Sequence, residues 1–152
     1  MNPEYHIAAS TIISGIIHAL FNSWAITTTS FITGVFIDVD HIIDYAIAHG
    51  IRFDIKHFFR FFYEEKYKKI TLILHGWEWL AGLTLAAWLT DWNPWVIGAL
   101  IGWSQHMIFD KILNISTFSS YSLLWRWNKR FESKSIPIHN RRREKKDSRG
   151  LK

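Results

Sequence analysis

Asp38, Asp40, His41 and Asp44 fall inside the otherwise apolar run Gly34–Tyr45. An ionised carboxylate left unpaired among such neighbours is costly, so groups of this kind imply a partner of opposite charge. Matching side chains occur in three other places: His6 near the start, His75 with Glu78, and His106 with Asp110. The chain has no cysteine, which excludes both a thiolate site and a disulfide framework. What remains is a divalent metal held by imidazole nitrogen and carboxylate oxygen, with the carboxylates offsetting the charge of the cation. Zinc suits such donors, with manganese and iron as alternatives.

Spacing supports this chemistry. His106 and Asp110 are four residues apart, as are Asp40 and Asp44, while Asp38 and His41 are three apart. On a helix each of these pairs shares a face and can bind one ion or carry a carboxylate between two. Asp40, His75, His106 and Asp110 are the first choice of ligands, followed by His6, Asp38 and His41. Glu78 and Asp44 are the candidates to take a proton from an attacking water, and Glu78 also reads as a ligand or as a group orienting a histidine. His18 lies about 18 Å further along the first helix than His6 and reads as a locally bonded side chain. His49, His57 and His139 fall in loops or the tail and are left out.

These groups need helices to position them. The 152 residues suggest one all-α domain over 1–131 and a basic tail over 132–152 that is too charged to pack. Half the chain is hydrophobic (49%), with nine Trp, yet all 18 Lys and Arg lie in 52–69 or 111–152. That segregation predicts an integral membrane bundle of four transmembrane helices, near 5–22, 31–48, 70–89 and 95–115. The basic, aromatic segment 52–69 is expected to form an interfacial amphipathic helix. The distribution of Lys and Arg places both termini and the site on the cytoplasmic side of the cell's inner membrane. The start of the chain lacks the basic region and cleavage site of a signal peptide and is expected to be retained. The competing architecture is a soluble helical bundle, because no run reaches the 18 uninterrupted apolar residues of a clear span. In the four-helix arrangement His6, Asp38, Asp40, His41, His75, His106 and Asp110 converge at one depth.

The ordered motifs resemble the membrane-bound metal-dependent hydrolases of the YdjM type, which are similar in turn to helical zinc-dependent phospholipases C and single-strand nucleases. The resemblance runs over residues 1–130 through His6, "FIDVDH" with Asp38, Asp40 and His41, "LHGWEW" with His75, and "HMIFD" with His106 and Asp110. Three departures stand out: Ile37 occupies a Pro position, the family's His-rich T-H-S segment is reduced to His75, and Leu113 stands where Thr is usual. The resemblance implies hydrolysis, and the membrane location suggests a phospholipid or another membrane-proximal phosphate ester as substrate. Membrane lipid, a phosphate-containing substrate and a second copy of the chain are the expected partners; nucleic acid is not. The alternative is a non-catalytic metal-binding scaffold or small ion carrier whose basic tail binds acidic lipid or nucleic acid.

Overall fold

A computed structural model of the chain describes residues 3–50, 54–63, 69–113, 115–133 and 138–139. Most of the tail and part of the segment 52–69 lie outside these residues, and so do the expectations for them. Among the described residues seven helices follow in order: α1 (Pro3–Phe21), α2 (Trp24–Phe36), α3 (Val39–His49), α4 (Ile55–Tyr63), α5 (Glu78–Leu89), α6 (Pro94–Leu113) and α7 (Leu123–Asn128). A 3-10 turn covers Phe118–Tyr121, and β1 (Ile115–Ser116) pairs antiparallel with β2 (Ile138–His139).

Local chemistry sets the helix ends. Ser23 accepts a hydrogen bond from the Ile26 amide at the start of α2, as side-chain oxygens at helix N-termini commonly do. Gly50, at φ +81°, ends α3, a backbone region that favours glycine. Pro94 opens α6, where its missing N–H costs nothing, and Asn93 Oδ1 accepts from the Trp95 amide.

The bundle is built on the crossing of α2 and α6, with α1 against α2 and α5 against α6. Small residues form the seam. A Cβ at Gly102 would collide with the Ser30 carbonyl and reach within 3.0 Å of the Gly34 amide, and one at Gly98 would lie 2.6 Å from the Ile26 carbonyl. Residues 26, 30 and 34 of α2 thus meet residues 98 and 102 of α6 backbone to backbone, and His106 is the next residue along that stripe. Beside the seam, Ile37, Trp103, Met107 and Tyr121 form the buried core, joined by Leu74, Trp77 and Leu83. On the other side of α3, α4 packs its Phe58 and Phe61 against Tyr45, and the Tyr45 hydroxyl lies 2.7 Å from His57 Nδ1.

The all-helical expectation holds, but the four transmembrane helices do not. Among the described residues no helix is long and apolar enough to cross a membrane. The expected second span is cut at Ile37–Asp38 into helices of 13 and 11 residues, the longer reaching only about 20 Å against a hydrocarbon layer of about 30 Å. The expected third span loses its beginning, because residues 70–77 are not helical and α5 has 12 residues. α1 and α6 reach the length but carry buried polar groups, among them His6, Ser10, Ser14, Gln105, His106 and Asp110. The placement in the inner membrane, with termini and site facing the cytoplasm, falls with the spans. Large apolar side chains do remain exposed, including Ile12, Ile16 and Leu20 on α1 and Ile108 and Ile112 on α6.

Candidate metal centre

The α2–α6 seam fixes the first histidine. His106 Nδ1 lies 2.8 Å from the carbonyl oxygen of Gly34, in the last turn of α2, where helix carbonyls lose their intrahelical donor. A carbonyl can only accept, so Nδ1 carries the proton and Nε2 presents a lone pair. On its flank His6 from α1 stacks against His106, with ring centroids 4.2 Å apart, and His6 Nε2 lies 3.2 Å from Asp110 Oδ1.

His75 arrives differently, from the irregular segment between α4 and α5. Its Nδ1 is 3.0 Å from Asp40 Oδ2, which also accepts from the Leu74 amide. The carboxylate therefore draws the proton to Nδ1 and turns Nε2 away from itself, the arrangement found behind metal-bound histidines. Nε2 of His75 and Nε2 of His106 then face each other at 3.2 Å. Two lone pairs at that separation repel, and only a proton or a cation between them relieves the contact.

Asp38, at the break between α2 and α3, completes a triangle. Its Oδ1 lies 3.5 Å from each of these two nitrogens. Donor atoms bound tetrahedrally to one zinc ion sit roughly 3.3 Å apart, so the three edges match one face of such a site. The cluster extends to both sides. Asp110 Oδ2 is 3.5 Å from His75 Nε2, and His41 Nε2 is 3.6 Å from Asp38 Oδ1. Two sets of three donors, His6 with His106 and Asp110, and Asp38 with His41 and His75, each lie within 4.8 Å of one another and could hold a metal ion. The first set is wholly buried. The second opens outward, its Asp38 and His41 side chains being 20% and 14% exposed. Asp40 Oδ1 is buried without a hydrogen-bond partner, and Asp38 Oδ1 meets its imidazole neighbours only at 3.5 to 3.6 Å, so the donor set fits a cation.

Electrostatics sharpen the picture. Burial disfavours a charge on His75, yet hydrogen bonds to Asp38 and Asp40, with the charges of Asp40 and Asp110, outweigh it and raise its pKa to about 10. His41 goes the other way: burial, reinforced by the charge on His75, pushes it down to about 4 against the pull of the aspartates. For Asp38, burial is opposed and overcome by hydrogen bonds from His106 and His75 and by the histidine charges, which hold the carboxyl well below its ordinary range. Asp110 is lowered in the same sense, burial being outweighed by the His6 hydrogen bond and the charges of His75 and His106.

His6, Asp38, Asp40, His41, His75, His106 and Asp110 are thus brought together, with Asp40 behind His75. The other two sequence candidates are occupied elsewhere. Asp44 Oδ2 accepts from the amides of Thr71 and Leu72 at 2.8 and 3.2 Å, and burial outweighs these bonds to raise its pKa. Glu78 accepts from Ser122 Oγ and from the amides of Leu123 and Leu124 at the start of α7. His18 pairs with Thr27 of α2, its Nδ1 3.2 Å from Oγ1.

Sequence reasoning passed over Arg126 and Trp103. Arg126 is 1% exposed and donates to the Thr71 and His75 carbonyls, while Trp103 Nε1 donates to the Leu74 carbonyl. A lone Arg in a basic stretch and a Trp among nine carry no such signal; only the aromatic residues around Arg126 hint that it is covered. No protein-family model, curated protein or solved structure matches the chain.

Proposed function

We propose that the chain is a metal-dependent hydrolase of phosphate esters, with a divalent ion, zinc first, held by His75, His106 and Asp38 and flanked by His6, His41 and Asp110. The observation that carries this reading is the pair of opposed Nε2 atoms 3.2 Å apart, each fixed by a proton acceptor behind it and both 3.5 Å from Asp38 Oδ1. A divalent ion bound there supplies Lewis acidity, lowering the pKa of a water and offsetting charge that builds on phosphoryl oxygens. The chain's own residues do the rest. Asp40 and the Gly34 carbonyl hold the two imidazoles in their tautomers. His41, at the exposed side, would accept a proton from water. The closed side, around His6 and Asp110, excludes solvent.

Two things support phosphate esters as the substrate class: the motif resemblance and a net charge of +5, which favours anions. A phospholipid substrate rested on the membrane location and goes with it. The second reading is a non-catalytic scaffold, favoured by the wholly buried set His6, His106 and Asp110, since structural sites are closed and catalytic ones keep an open position.

Metal analysis of the purified full chain, beside His75→Ala and Asp38→Ala, tests the proposal together with turnover of aromatic phosphate mono- and diesters under added zinc or manganese. Metal in the wild type, its loss in both variants and metal-dependent turnover are expected. Full occupancy in both variants would sink the site. Occupancy without turnover of any phosphoester would favour the scaffold.

A further inference from the structure

Among the histidines of the centre, His75 alone is carried by no helix. Residues 70–77 run as irregular, partly buried chain, with Ile70, His75 and Gly76 covered, and buried backbone of that kind must find its hydrogen bonds case by case. Leu72 even adopts φ +38°, a region that a branched side chain enters only under constraint. The constraints can be named. Asp44 takes the amides of Thr71 and Leu72, Asp40 takes that of Leu74, and the Trp103 and Trp79 indoles donate to the carbonyls of Leu74 and Ile73. Arg126 spans the segment: Nη1 donates to the Thr71 carbonyl at 2.9 Å and Nη2 to the His75 carbonyl at 2.8 Å.

Arg126 is itself held. It sits on α7, whose first amides are gathered by Glu78 at the start of α5, and its Nε donates to the Ser122 carbonyl at 3.4 Å. Among the described residues the buried guanidinium has only backbone carbonyls as acceptors, an expensive arrangement, and a structural bracket could be built from neutral groups. Its forked donors reach two carbonyls on either side of the loop at once, which no lysine or glutamine can match.

We infer that Arg126 is a positioning residue for the metal centre, fixing the His75 imidazole through the backbone by clamping the carbonyls of Thr71 and His75. The inference rests on the reading of His75 as a ligand. Arg126 touches none of the donor atoms; it sets where His75 Nε2 stands relative to His106 and Asp38.

Cobalt(II) serves as the probe, because its visible absorption reports ligand geometry directly and needs no turnover. The full chain and Arg126→Gln are titrated with cobalt, with circular dichroism and thermal unfolding recorded on the same samples. A folded Arg126→Gln is expected to bind cobalt about ten- to a hundredfold more weakly, the range for residues that orient metal ligands, and to show a shifted visible band. Arg126→Ala with millimolar guanidinium added is expected to regain part of that affinity. Unchanged affinity and spectrum in folded Arg126→Gln, beside a wild type that binds, would overturn the positioning role and leave the metal reading intact. A wild type that binds no cobalt would overturn the metal reading first. Should Arg126→Gln not fold, Arg126→Lys decides by the same comparison, and wild-type affinity and spectrum there would overturn the inference.

Discussion

Replacing Gly102 by Ala sets two effects of opposite sign against each other. In a helix interior the change from Gly to Ala alone stabilises by about 1 kcal/mol. Here the new Cβ would run into the Ser30 carbonyl, whereas ordinary contact begins near 3.4 Å. To make room, α2 and α6 must part by about 1 Å, and overpacking of this kind costs about 1–3 kcal/mol. The same movement stretches the bond from His106 Nδ1 to the Gly34 carbonyl, now 2.8 Å, to about 3.8 Å, beyond hydrogen-bond range. Gly102→Ala should therefore be less stable than wild type by up to about 2 kcal/mol and should also bind metal more weakly. Urea unfolding of the metal-free chain measures the first effect and cobalt titration the second. Gly15→Ala and Gly82→Ala serve as controls, since nothing lies within 4 Å of a Cβ at either position, and both should gain stability. A Gly102→Ala protein as stable as the controls, with unaltered metal affinity, would refute the close crossing and its link to His106.

The remaining predictions concern protons and brackets. His75 has a folded pKa of about 10, above its unfolded value of 6.5, so its contribution is full below pH 6.5 and is lost as pH rises through 10. His41 is depressed to about 4, so its contribution is present above 6.5 and is lost as pH falls through 4, and the lowered Asp38 and Asp110 add to the acid loss. Metal-free protein should accordingly be most stable near pH 6.5 in chemical unfolding, and zinc, by replacing the proton at His75, should flatten the alkaline side. Glu78→Gln should cost about 1 kcal/mol of stability, in keeping with a lost cap, and leave phosphoester turnover within a few-fold of wild type; a loss of turnover in a folded protein would restore Glu78 as the catalytic base. Asp44→Ala leaves the amides of Thr71 and Leu72 without their acceptor and should destabilise by about 2 kcal/mol, as read by thermal unfolding.

The sequence made the cluster visible through residue type: His6, Asp38, Asp40, His41, His75, His106 and Asp110 are too polar for their surroundings, and helical spacing paired several of them. The residues around them misled the reading of architecture. Apolar runs and segregated basic residues suggested four spans, but spacing alone did not show that the chain breaks at Ile37–Asp38 or stays irregular over 70–77. The second break follows from tertiary partners, Asp44, Asp40 and Arg126, and local propensity carries no trace of such partners. Glu78 and Asp44 illustrate the complementary limit. A carboxylate near a candidate ligand looks like a base until the amides it accepts from are known.

The contact between His6 and Asp110 has a consequence for how the molecule assembles. These two residues come from the first and sixth helices, so their meeting closes one of the longest loops in the chain, an entropic cost that must be met before the contact gives anything back. Contacts so distant in sequence are slow to form. Docking of α1 beside α6 would then be a late event in folding, and an ion captured by His6, His106 and Asp110 would act as a latch on that final step, slowing unfolding far more than it speeds folding.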